Sequence, residues 1–134
     1  MDNMRKAEKA MIAFIESKGY IVDFEREMWK ELRDLRRYVG DQKTPVMIRG
    51  WTRANAYRRE DIQLWKEGER KAPKPRPIYS GVVYCSEKEP FNKAKGRILS
   101  VAWVLRIMGI NREFAAIRVK HEEKKPKVAK PPAG

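Results

Sequence analysis

The chain has 134 residues, 42% of them hydrophobic, with four tryptophans and one cysteine; that suffices for one domain with a modest core and excludes a wholly disordered chain. Its formal net charge is +13, and the excess is local: residues 1–42 carry nine basic and nine acidic side chains, residues 43–134 carry 22 and nine. An excess of this size repels itself, so the expected partner is anionic: nucleic acid first, an acidic protein surface second.

Asp2 to Lys18 is predicted to be a helix, capped by Asp2 or Asn3 and closed by Gly19. Met4, Ala7, Met11, Phe14 and Ile15 recur at three and four residues and mark its buried stripe. Tyr20–Phe24 reads either as a short strand or as a tight connection. A second helix is expected from about Glu25 to Val39, with Met28, Leu32, Leu35 and Val39 inward. Arg26, Lys30, Arg33 and Arg37 follow the opposite side, beside Glu27, Glu31 and Asp34, and read as a self-neutralised solvent face. Residues 1–40 therefore read as a helical hairpin that serves as scaffold.

A short strand is expected at Lys43–Ile48, interrupted by Gly50. The segment 51–67 admits two readings: a short helix near 52–60 followed by a strand, which is preferred, or a longer helix capped by Thr52. Trp51, Tyr57 and Trp65 alternate there with Arg53, Arg58 and Arg59. Interleaved rings and cations are what base stacking with phosphate neutralisation requires; equally, the tryptophans can be core with solvated arginines around them. Glu69–Pro77 has no helical or strand period. Its alternate prolines favour an extended segment, and Arg70, Lys71, Lys74 and Arg76 make it basic enough to lie along a groove.

Ile78–Tyr84 returns as a strand ending at Cys85. Asn92 and Gly109 bracket the clearest helix, with Ile98, Val101, Ala102, Leu105 and Met108 on its apolar face. Lys93, Lys95 and Arg97 crowd the end whose partial charge is already positive. Cations there cost up to roughly 1 kcal/mol unless an anion sits nearby, and Gly96 would allow close approach, so a phosphate site is one reading. A basic end offset by Glu87 and Glu89 is the other. Arg112–Lys120 alternates and is expected to add a last strand, and 121–134 reads as a basic, unstructured tail outside a domain of residues 1–120.

The segment Cys85 to Arg97, with Cys85, Glu89, Phe91, Lys93, Gly96 and Arg97 in register, resembles a recurrent stretch in small, uncharacterised tailed-bacteriophage proteins. The likeness covers about 25 residues by eye, roughly 80–105, and departs from the pattern after the Cys-Ser pair and further along the helix. It implies a viral origin and no particular activity. A strand and helix clamped by Phe91 would account for it physically.

Catalytic signatures do not emerge: there is no P-loop, G-x-G-x-x-G, G-x-S-x-G or H-E-x-x-H. The only histidine, His121, is remote in sequence from Cys85, and no zinc ligand set is complete. Glu60-Asp61 and Glu87/Glu89 are carboxylate pairs a nuclease's magnesium would need, but cations surround both. No apolar run approaches the ~20 residues that span a bilayer, and no leader pattern opens the chain, so a soluble, cytoplasmic location is expected. The sequence thus predicts an α+β fold: the helical hairpin on a small, mainly antiparallel sheet, with helix 92–109 across it. It predicts a noncatalytic, phage-type nucleic-acid-binding module without cofactor or metal. The alternative is a phage effector that occupies an acidic surface of a host polymerase or nuclease.

Overall fold

In the computed structural model, which describes residues 2–89 and 92–124, the chain is an α+β fold. Helix α1 (Asp2–Ser17) leads through Gly19, at φ +96°, into strand β1 (Tyr20–Asp34) and a single 3-10 turn, Leu35–Arg37. Strand β2 (Met47–Arg58) runs directly into helix α2 (Arg59–Glu67). After an irregular 69–78 segment come β3 (Tyr79–Ser86), α3 (Lys93–Ile107) and α4 (Asn111–Lys124). The three strands form one antiparallel sheet in the order β1-β2-β3.

The core lies on one face of this sheet. Ala54 and Ala56 of β2 are fully buried beneath Val101, Val104 and Leu105 of α3, with Met11 and Ile15 of α1 alongside. Small residues let the layers close up. A Cβ on Gly81 would fall 2.4 Å from the Ser100 carbonyl oxygen and 2.7 Å from the Trp103 Cβ; one on Gly96 would fall 2.6 Å from the Thr52 hydroxyl. Gly96 is therefore needed for helix–sheet contact, which accounts for it without any phosphate.

Helix α3 matches the sequence reading. Asn92 Oδ1 accepts from the Lys95 N–H at 3.1 Å, and Gly109, at φ +75°, ends the following turn. It carries a second apolar row besides the expected one: Leu99, Trp103 and Ile107 face away from the core and stay exposed.

Four expectations are corrected. The segment 25–39 is not a helix, so there is no helical hairpin: nine consecutive pairs, Tyr20↔Arg58 to Met28↔Gly50, hold β1 against β2. Of its supposed core residues, Met28 and Leu32 are 46% and 41% exposed and Leu35 and Val39 only half-buried, whereas the strand places Val22 and Phe24 against the core. Within 51–67 the order is reversed, strand first and helix second. Strand β2 is buried on both sides at Ala54, Asn55, Ala56 and Tyr57, which erases the alternation of a half-exposed strand. Glu60 and Asp61 then occupy the first turn of α2, where the helix dipole favours acids.

Finally, 112–120 belongs to α4 rather than to a fourth strand. Phe114 anchors that helix on Phe14, ring centroids 5.4 Å apart, and Lys18 pairs with Glu113 at 2.7 Å. Residues 121–124 continue α4, so the expected tail does not begin at 121. The rest of that tail, 125–134, and the Phe91 clamp lie outside the described residues.

Candidate nucleic-acid interface

Antiparallel pairing sends alternate side chains to opposite faces. On the face away from α1 and α3, β1 contributes Asp23, Glu25 and Glu27, β2 contributes Trp51, Arg53, Asn55 and Tyr57, and β3 contributes Ser80, Val82 and Tyr84. This face has two halves of different character.

One half is a satisfied polar network. Asn55 is completely buried; its amide donates to Asp23 Oδ1 (3.2 Å) and Glu25 Oε1 (2.6 Å), and its oxygen accepts from the Ser80 hydroxyl (2.8 Å). Each carboxylate is also neutralised: Arg53 donates to Glu25 at 3.0 Å, and Lys74 donates to Asp23 at 2.6 Å. Lys74 brings the basic 69–78 segment across the sheet end, its ammonium 4.7 Å from the Tyr57 ring centre and 5.9 Å from that of Trp65. Trp65 pins this strap by donating to the Ala72 carbonyl at 2.8 Å, while the Arg70 guanidinium lies 5.5 Å from its ring. Burial is the main reason the Tyr57 phenol is pushed above its ordinary range; Asp23 adds to it and Lys74 opposes it.

The other half is aromatic. Trp29 stacks on Tyr38, centroids 5.2 Å apart and planes 17° apart, and Tyr38 meets Tyr84 at 6.0 Å. Tyr84 is the direct register partner of Trp51. The run therefore crosses all three strands. Two guanidiniums lie over its ends, Arg33 at 4.3 Å from Trp29 and Arg53 at 4.8 Å from Trp51. Arg33 also donates to the Tyr38 hydroxyl at 2.9 Å.

Of the residues predicted from sequence, this face gathers Trp51, Arg53, Tyr57, Trp65, Arg70 and Lys74. Lys71 pairs loosely with Glu69 at 3.3 Å, and Arg76 is exposed on the same strap with no acidic partner among the described residues. Arg58 and Arg59 stand apart. Arg58 ends β2 with the core-facing parity, and Arg59 donates to the Glu16 carbonyl at 2.6 Å, satisfying the last turn of α1. Trp29, Arg33 and Tyr38 were missed because a helix was assigned over 25–39, where the two-residue alternation Asp23, Glu25, Glu27, Trp29 was the available signal; Tyr84 was placed on a strand, but its neighbours Trp51 and Tyr38 come from other segments.

The start of α3 lies against the opposite face of the sheet. Lys93, Arg97 and Arg26 border an open cleft of about 260 Å³ together with Phe24, Glu25 and Thr52. Much of the anion-binding potential there is already used. The Arg97 Nε sits 2.7 Å from Glu8, a carboxylate only 11% exposed, although its N–H is not aligned for a hydrogen bond. Lys95 approaches Glu89 at 3.7 Å, and Asn92 takes the Lys95 N–H through its side chain and the Gly96 N–H through its carbonyl. Only Lys93 of the three predicted cations lacks an acidic partner among the described residues.

Cys85 is half-buried and directed at the Ser86 and Glu89 carbonyls, each at 3.7 Å; burial first, and Glu89 second, push its thiol up. A protonated thiol of this kind is a packing residue rather than a nucleophile. Among the described residues no helix is long and apolar enough to cross a membrane, and no three His, Cys, Asp or Glu side chains are grouped to hold a metal ion.

Comparison with protein-family models, curated proteins and solved structures finds no match.

Proposed function

We propose that the chain is a noncatalytic nucleic-acid-binding module, of phage type by the resemblance of its 85–97 segment, whose contact surface is the face of the sheet away from α1 and α3. The observation that carries this reading is the ring run Trp51, Tyr84, Tyr38 and Trp29 with Arg33 and Arg53 laid over its ends. Rings offer π-faces to bases, guanidiniums beside them reach the adjoining phosphates, and the Arg70–Arg76 strap adds positive charge at one margin. Arg26 and Lys93 at the α3 cleft serve as accessory phosphate contacts. Fluorescence anisotropy with labelled oligonucleotides tests the proposal: micromolar or tighter binding is expected, competed by unlabelled oligonucleotide more effectively than by heparin, which has charge but no bases. Equal competition by heparin at matched charge would refute a base-contacting surface.

A second reading, an effector that docks on an acidic protein surface, is favoured by the exposed Leu99, Trp103 and Ile107 row, with the Arg106 guanidinium 5.2 Å from the Trp103 ring. Such a complex would survive nuclease treatment with fixed stoichiometry.

A further inference from the structure

Resting on that reading of the sheet face, we infer that its ligand is single-stranded, held mainly by base stacking rather than by phosphate neutralisation. Charge on the face decides the matter. Arg33, Arg53, Arg70 and Lys74 are the cations that contact its rings, and Asp23, Glu25 and Glu27 stand beside the sheet's own cations on β1. Two of these cations are bonded to two of these carboxylates, Arg53 to Glu25 and Lys74 to Asp23, and Glu27 accepts from the Trp29 indole at 2.9 Å. The charges on the strands are therefore largely cancelled, and among the described residues Arg33 and, on the strap, Arg70 and Arg76 are left without an acidic partner, a small share of the chain's +13.

A duplex draws most of its affinity from phosphates neutralised by many cations, and its base faces are hidden in the stack. It would find few free charges here and no base face to pair with the rings. A single strand presents unstacked bases, and each base stacked on an aromatic side chain contributes a roughly 5- to 150-fold gain in affinity. The run from Trp51 through Tyr84 and Tyr38 to Trp29 is the stacking surface, with Arg53 over one end and Arg33 over the other, where a base takes the place of a guanidinium on its ring. Few released counterions also mean a shallow salt dependence: with about three phosphate contacts, at Arg33, Arg70 and Arg76, the single-strand slope of log K against log[salt] is about −2.1.

The test is a titration of the full chain with an oligonucleotide of about ten nucleotides, in DNA and RNA form, and with the same sequence as a duplex, at about 50 and about 200 mM salt. Single strands bound at least tenfold tighter than duplex, with a shallow slope and quenched tryptophan fluorescence, would support the inference. Trp29→Leu and Trp51→Leu keep apolar volume while removing the ring, and each should weaken single-strand binding at least fivefold. Should either variant misfold by circular dichroism, the quenching and the strand preference of the unaltered chain still decide. Duplex bound as tightly or more tightly, with a steep slope, overturns the inference and leaves nucleic-acid binding standing. No binding of either at low salt overturns both.

Discussion

Replacing Asn55 by alanine tests the brace beneath the proposed interface. The amide of Asn55, itself fully buried, makes two bonds to partly exposed carboxylates and accepts one from Ser80. Hydrogen bonds to charged groups contribute about 1.5–3 kcal/mol each and a neutral one about 1 kcal/mol. The lower end applies to the first two, because Asp23 keeps Lys74 and Glu25 keeps Arg53. Asn55→Ala should therefore cost about 4 kcal/mol, a large share of the roughly 5–15 kcal/mol a domain of this kind has. Urea unfolding followed by tryptophan fluorescence reads this as a lower midpoint at unchanged slope. Asn55→Asp, nearly isosteric, sets a third carboxylate against two others and should be worse at neutral pH than near pH 4, where protonation relieves the repulsion. A loss below about 1 kcal/mol for Asn55→Ala would refute the network's structural role.

Other substitutions probe the packing and the charges. Gly81→Ala puts a methyl group against the Ser100 carbonyl and the Trp103 Cβ, so it should destabilise by about 1–3 kcal/mol in the same denaturation assay. Arg97→Ala leaves the nearly buried Glu8 carboxylate without its cation and should cost about 2–4 kcal/mol, most of it recovered by adding Glu8→Gln. With the Tyr57 phenol raised chiefly by burial, the neutral form is the one the fold prefers. Its contribution is complete below the ordinary phenol value of about 10 and is lost as pH rises through the higher folded value; Tyr57→Phe should flatten that alkaline fall in unfolding midpoint. Cys85, protonated and half-buried, should alkylate more slowly with iodoacetamide in the native chain than in urea.

Capped helices were legible from sequence: α1 closes at Gly19, and α3 opens at Asn92 with its core-facing apolar row where the spacing puts it. Strand β1 was not, because Glu25–Val39 is rich in strong helix formers that also happen to recur at three and four. What overrides them is a nine-pair ladder to a strand some 30 residues away, a non-local contact that local propensity does not register. The earlier part of β1 did carry a period of two, with Tyr20, Val22, Phe24, Arg26 and Met28 against Ile21, Asp23, Glu25 and Glu27. Half of the candidate site was visible as rings among arginines at 51–59. Its other half, Trp29, Tyr38 and Tyr84, comes from three separate segments that only the sheet and the 3-10 turn bring side by side. Conversely, Glu89 beside Lys95 was legible as a local offset, but Arg97 looked like a free phosphate ligand because Glu8, 89 residues before it in the chain, is a partner no local pattern reveals.

The most direct test of where nucleic acid binds is a comparison of two double variants by oligonucleotide anisotropy. Trp29→Leu with Trp51→Leu strips rings from the sheet face, whereas Lys93→Ala with Lys95→Ala strips charge from the α3 start and leaves the Arg97–Glu8 pair intact. The ring variant should lose at least tenfold in single-strand affinity with little change in salt slope, and the lysine variant should lose less than threefold. The reverse order, with the slope flattened in the lysine variant, would contradict the assignment and move the interface to the helix start.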